Sequence, residues 1–121
     1  MAEVYDQYFE TQRLAQLCKQ CLGMTEIDGE LIFRSSTDEN RLEVVSWFFS
    51  HHDYEHLQAC SFKPLLMSLL DDLIIYRTRC EMTDSREGFV TLSKSKASIF
   101  WLTDGHGEAL AAKRQAAEDA K

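Results

Sequence analysis

Ser61-Phe-Lys-Pro-Leu-Leu-Met-Ser-Leu-Leu-Asp-Asp-Leu-Ile-Ile-Tyr-Arg-Thr-Arg-Cys80 is the most apolar run of the chain. Leu66, Leu69, Leu70, Leu73 and Ile74 recur at helical spacing and form one stripe. Pro64 falls in the first turn, where its missing N–H costs little. Arg77 and Arg79 fall in the last turn, at the negative end of the helix dipole. The run therefore predicts a long central helix that the other elements pack around. Asp71 and Asp72 are neighbours, about 100° apart around such a helix, and are assigned to its solvated side.

Immediately upstream, Tyr54 to Cys60 reads as a short helix, and Ser61 is a cap for the long one. Further back, Ser36-Thr-Asp-Glu39 fits a capping box. It predicts a helix from about Asp38 to His51, with Leu42, Val45, Phe48, Phe49 and His52 on one face. The rival reading is a strand, because Leu-Glu-Val-Val-Ser-Trp-Phe-Phe is β-prone; the cap and the run length favour helix. Residues 4–22 give a first amphipathic helix, with Gly23 as its left-handed C-cap residue. Asp28-Gly29 is a hairpin signal between short strands near 24–27 and 30–34, with a loop as the alternative for the first. Downstream, Phe89–Ser93 and Ala97–Thr103 read as a hairpin joined by the basic turn Ser93-Lys-Ser-Lys96. Thr103 or Asp104 then caps a final helix from Glu108 to about Asp119. The expectation is one mainly helical α+β domain spanning residues 1–121.

The chain has 121 residues, enough for one core. No apolar run approaches the roughly 18–20 residues of a membrane helix. The N-terminus has neither a basic n-region nor an apolar h-region, so a cytoplasmic protein without membrane contact is expected. The net charge is −7 and lopsided. Residues 1–60 hold 11 acids and 4 bases, whereas residues 61–121 hold 9 of each. The first half repels phosphate, so any nucleic-acid contact belongs to the second. An acidic surface also suits a protein partner with a basic face.

Cys18-Lys-Gln-Cys21 has C-x2-C spacing, and His56 with Cys60 completes the four ligands of a zinc site. Against this, both cysteines lie on the apolar stripe of a helix, where free Cys is an ordinary core residue. The reading preferred is no metal and no cofactor. His51, His52, His56 and His106 supply candidate bases, yet no Ser or Cys sits in a nucleophile motif and no glycine-rich phosphate loop exists. The chain is therefore not expected to be an enzyme. Trp47 is a candidate contact residue, with the acids Glu43, Asp53 and Glu55 and the aromatic Tyr54 close in sequence.

The order of elements, together with Phe100-Trp-Leu-Thr-Asp-Gly-His-Gly-Glu-Ala-Leu-Ala111, resembles winged-helix domains of the MarR or PadR kind over roughly residues 38–121. Leu102, Thr103, Asp104 and Leu110 match in kind the segment where a wing's second strand enters the following helix. His106, flanked by Gly105 and Gly107, stands where that family has its glycine. The resemblance implies a winged-helix-like α+β fold with a C-terminal hairpin and flanking terminal helices. It also implies a recognition helix over Phe62–Arg79, dimerisation through the terminal helices, and DNA contacts from Lys63, Arg86, Lys94 and Lys96. The implied recognition helix, however, offers Phe62, Leu65, Leu66 and Met67 from its first turns, with Lys63 the sole base before Arg77. The preferred reading is thus a regulatory protein that binds another protein as an adaptor, inhibitor or anti-regulator, by analogy with anti-defence proteins of mobile elements. Trp47, Glu43, Asp53, Tyr54 and Glu55 are its contact residues, and the alternative is a winged-helix DNA-binding regulator.

Overall fold

The computed structural model describes residues 6–23, 25–35, 41–81, 87–94, 96–103 and 106–119. Helix α1 (Gln7–Cys21) is followed by strands β1 (Gly29–Ser35) and β2 (Leu42–Phe49), then by helices α2 (His51–Ala59) and α3 (Phe62–Arg79). Strands β3 (Glu87–Ser93) and β4 (Lys96–Leu102) and helix α4 (His106–Asp119) complete the order. The four strands form one antiparallel sheet in the order β2-β1-β3-β4. The α+β class holds. The C-terminal hairpin is not a separate wing, because β3 is zipped to β1 along Gly29–Phe33.

Alternation along the strands sorts the sheet into two faces. Leu31, Phe33, Val90 and Leu92 point to the layer of α1, α2 and α3 and are fully or almost fully buried there. Val45, Trp47 and Phe49 of β2 and Ala97, Ile99 and Trp101 of β4 flank them on the same face. Glu30, Ile32 and Arg34 point to the other face, where α4 rests through Arg34–Glu108 (3.2 Å) and Arg114–Glu30 (3.4 Å) ion pairs. The terminal helices α1 and α4 thus lie on opposite faces of the sheet.

The central helix is where the periodicity put it. Phe62, Leu66, Leu70, Leu73 and Ile74 are at 0% exposure and fill the core between the sheet and α1. Its entry differs from expectation: Ser61 sits at the N-cap in the left-handed region (φ 66°) and its side chain caps nothing. Ser50, by contrast, caps α2 by accepting from the Asp53 N–H at 3.2 Å. Gly23 adopts φ 56° after α1, as its C-cap role requires.

Three local expectations are corrected. Residues 42–49 are strand, not helix. As a strand the run pairs along its length with β1 and presents Trp47 and Phe49 to the helix layer and Val44 and Phe48 to the other face, where Val44 stays exposed. The capping box Ser36–Glu39 lies outside the described residues. No strand forms over 25–28, and Asp28-Gly29 is not a hairpin turn: the Asp28 carboxylate accepts the Lys94 N–H at 2.8 Å, while Gly29 opens β1. Asp71 does not sit on a merely solvated face. Its carboxylate takes the Arg41 guanidinium (Nε at 3.0 Å) and the Leu42 N–H (2.9 Å), which pins the start of β2 to α3.

This anchor has a pH signature. Above all the Arg41 hydrogen bond, and then the Leu42 N–H, hold the Asp71 carboxyl below its ordinary value of 3.8 against the opposing effect of burial. A lowered folded pKa means the contribution is complete above the unfolded value and is lost as pH falls through the folded one. Asp71→Asn should therefore lower stability by about 1–2 kcal/mol at pH 7, a figure kept small because Arg41 is more than half exposed. The gap from wild type, measured by urea titration, should close as pH falls below 3.8 through the lowered folded value. A gap that persists unchanged below that value would show that the ionised carboxylate is not what matters.

A second polar cluster lies inside. Glu10 of α1 is at 0% exposure and accepts the Trp101 indole N–H at 2.7 Å. The Arg77 guanidinium, 3% exposed, lies over the same indole at 4.1 Å from the ring centroid. Trp101 in turn meets Phe33 edge-on at 5.3 Å. Three elements, α1, α3 and β4, are tied together at one aromatic ring.

Candidate functional site

Strand β2 is one edge of the sheet, and no described residue pairs with its outer side. Alternate N–H and C=O groups of an edge strand face outward, ready to accept another strand. Edge strands are usually blunted by Pro, Lys or inward charges. Leu42–Phe49 has no Pro or Lys, and its one charge, Glu43, lies near its start, so the edge is open from Val44 to Phe49. Glu43 is the bulged residue: Arg34 pairs with Val44 and Ser35 with Leu42, which leaves Glu43 unpaired and exposed.

Beside the C-terminal half of this edge, Trp47 and Phe49 project toward α2. Their ring centroids are 6.1 Å apart, and Trp47 meets Tyr54 at 6.2 Å. With His51 they line an open cleft of about 450 Å³. The cleft exists because Ser50 ends the strand and caps α2 at once, folding the helix back over the aromatic end of β2. Lys63, at the start of α3, closes the inner side. Its ammonium lies 4.8 Å from the Tyr54 ring centre and 5.6 Å from that of Trp47, and it hydrogen-bonds the Tyr54 hydroxyl. Trp47 is half-buried.

Among the expected contact residues, the structure joins Trp47 with Tyr54 and sets Asp53 and Glu55 on the same short helix. Glu55 is partly engaged by His51 at 3.0 Å. Glu43 sits at the far end of the strand. Phe49 and His51 belong to the cleft and were missed, because a helical reading of 38–51 separates residues that a strand followed by a capped helix brings together. The open edge was missed for the same reason.

The residues assigned to nucleic acid do not gather. Lys63 is occupied by aromatic rings at the β2 side. Lys94 and Lys96 are exposed at the β3–β4 turn, with β1 and β3 lying between their edge and β2. Arg86 lies outside the described residues. The predicted recognition helix is the centre of the core, with Phe62 and Leu66 at 0% exposure.

Cys18, Cys21 and Cys60 are free thiols. Burial pushes Cys18 up to about 11, more than offsetting a hydrogen bond with the Ala97 backbone; burial, and then the Cys60 thiol, raise Cys21. Such thiols are poor nucleophiles near neutral pH. Among the described residues no group of three or more His, Cys, Asp or Glu is placed to hold a metal, and His56 is not brought into a set with the cysteines. No described helix is long and apolar enough to cross a membrane.

Comparison with protein families, characterised proteins and solved structures finds no match to this chain.

Proposed function

We propose that this chain is a non-enzymatic regulatory protein that binds a protein partner along the outer edge of β2, with the aromatic cleft beside it as the anchor. The observation that carries the reading is the edge strand, open from Val44 to Phe49 beyond the Glu43 bulge and paired on one side only among the described residues. An extended segment of a partner adds to such an edge by main-chain hydrogen bonds, and side-chain pockets set specificity. The cleft of Trp47, Phe49, His51 and Tyr54 is the pocket on the helix side. Glu43, Asp53 and Glu55 make the surround acidic, so a basic partner segment is the best fit. The protein would then act as an adaptor or inhibitor, covering a basic surface of its partner.

The alternative, a winged-helix DNA-binding regulator, is supported by the succession of α2, α3 and a β-hairpin with Lys94 and Lys96 at its turn. It ranks lower because α3 contributes its apolar residues to the core and the chain carries a net charge of −7.

The test uses a photo-crosslinking residue at Val44, 36% exposed on the edge strand, and a control at Gln115 on exposed α4. In cells that carry the protein, position 44 should capture one partner through a basic, extended segment, and position 115 should not. With that partner in hand, Trp47→Ala should raise the off-rate about 30-fold, the effect of a hot spot near 2 kcal/mol. Val44→Lys should block strand addition while leaving the fold intact. Charge reversal at Glu43 and Glu55 should slow association and flatten its salt dependence. Capture from position 115 alone, or binding indifferent to both Trp47→Ala and Val44→Lys, would place the interface elsewhere.

A further inference from the structure

On the opposite edge of the sheet, α1 and the β3–β4 turn enclose a groove of about 540 Å³. Thr11, Ala15, Cys18, Lys19 and Gly23 line it from α1, and Lys94, Lys96 and Ala97 line it from the hairpin. Three of the chain's thirteen lysines and arginines converge here, and no acidic residue is among the described residues that line the groove, the nearest acid being Asp28 behind the turn. No described residue forms an ion pair with Lys19, Lys94 or Lys96. The position of the turn is fixed in advance. Lys94 is held in the left-handed region (φ 51°), and its N–H is tied to the Asp28 carboxylate at 2.8 Å. That tether holds the two hairpin lysines across from α1. Lys19 stands in the last turn of α1 and offsets the negative end of that helix's dipole. The floor between them is apolar and small: Ala15, Ala97 and the buried Cys18.

We propose that this groove binds a compact organic phosphate, its phosphate groups on Lys19, Lys94 and Lys96 and its remaining part on the floor of Ala15, Cys18 and Ala97. Lysine ammoniums suit phosphate as mobile point charges. The volume falls within the range of small-ligand sites, about 300–1,000 Å³. A compact anion within the groove meets three cations against one nearby carboxylate, that of Asp28, which accepts the Lys94 N–H; acids more than about 8–10 Å away are screened. A long nucleic acid would have to run out over a surface whose overall charge is −7, and its affinity rests on many phosphate contacts rather than three. The site is separate from the β2 edge, so its fate does not depend on the protein-binding reading.

The test is a titration of the full chain with ATP, without divalent metal and at low salt, followed by amide chemical shifts. Shifts should centre on Thr11, Cys18, Gly23 and Ala97 and saturate below about 1 mM, an ordinary affinity for a small site. The double variant Lys94→Asn/Lys96→Gln should weaken binding about tenfold or more. Asn is chosen at 94 because it tolerates the left-handed backbone, and a wild-type circular dichroism spectrum checks the fold. Lys113→Gln on α4, distant from the groove, should bind as wild type does. No saturable shifts at about 5 mM ATP would overturn the proposal. So would equal weakening by Lys113→Gln, or a single-stranded oligonucleotide that binds more tightly than ATP through the same lysines.

Discussion

Arg77→Ala is expected to lower the unfolding free energy by about 3–5 kcal/mol, the usual cost of removing one member of a buried charged cluster. Arg77 is 3% exposed and lies over the Trp101 indole, whose N–H is given to the buried Glu10 carboxylate. Truncation removes the cation from the ring face and leaves a space in the core. It also leaves Glu10, at 0% exposure, in an interior that has lost a positive charge. For a domain of this size, total stability is about 5–15 kcal/mol, so the loss is a large share of the whole. Urea titration measures the loss. A double variant, Glu10→Leu with Arg77→Ala, should recover part of it, because exchanging a whole buried ionic cluster for apolar groups is often neutral. A loss below about 1 kcal/mol for Arg77→Ala, or a double variant as unstable as the sum of the two singles, would show that the two charges are not coupled.

The elements that were legible in the sequence are those whose signals are local. The stripe Leu66, Leu69, Leu70, Leu73 and Ile74 specifies α3 because a helix buries one face whatever its neighbours are. Gly23 and the basic turn at Lys94–Lys96 were legible for the same reason: each states a backbone geometry by itself. Residues 42–49 were not. A strand that is apolar on both faces loses its period-2 alternation, and the run then reads equally as a helix segment. What decides it is β1, whose Glu30–Arg34 lies opposite Val44–Phe48 in the sheet. That pairing is a tertiary fact that no window on the run contains.

The candidate site follows the same division. Trp47 and Tyr54 were picked out by residue type, yet their contact depends on the strand, its Ser50 cap and the immediate turn into α2. Glu10 had no local signal at all. On a helical wheel it is one more acid on an amphipathic helix, and its hydrogen-bond partner Trp101 lies ninety-one positions on. Lys19 likewise joins Lys94 and Lys96 only through the packing of α1 against β4. Asp71 was read as solvent-facing because its partners, Arg41 and Leu42, are about thirty residues away.

Gly88→Ala is expected to cost about 3 kcal/mol, the upper part of the range for overpacking a filled interior. Gly88 lies in the ladder between Phe33 of β1 and Trp101 of β4. A Cβ there would overlap the Phe100 carbonyl oxygen, a backbone atom that cannot rotate away, and would press within 3.0 Å of Phe33 Cζ. Phe33 is at 0% exposure with Trp101 against it at 5.3 Å, so it has nowhere to yield. Relief requires β3 and β4 to part, which also disturbs the Trp101–Glu10 hydrogen bond. Gly29→Ala is the internal control. Its Cβ would overlap only the ring of Phe49, a half-buried side chain at the sheet edge that can swing outward, so a loss of about 1 kcal/mol is expected. Thermal unfolding separates the two, since about 3 kcal/mol corresponds to a fall in Tm of roughly 10 °C for a chain of this length. Gly29→Ala should also alter the aromatic cleft and Gly88→Ala should not, which the side-chain chemical shifts of the Trp47 indole and the Tyr54 ring can follow. If Gly88→Ala melts at or above Gly29→Ala, the β3–β4 ladder is not the rigid partner described here.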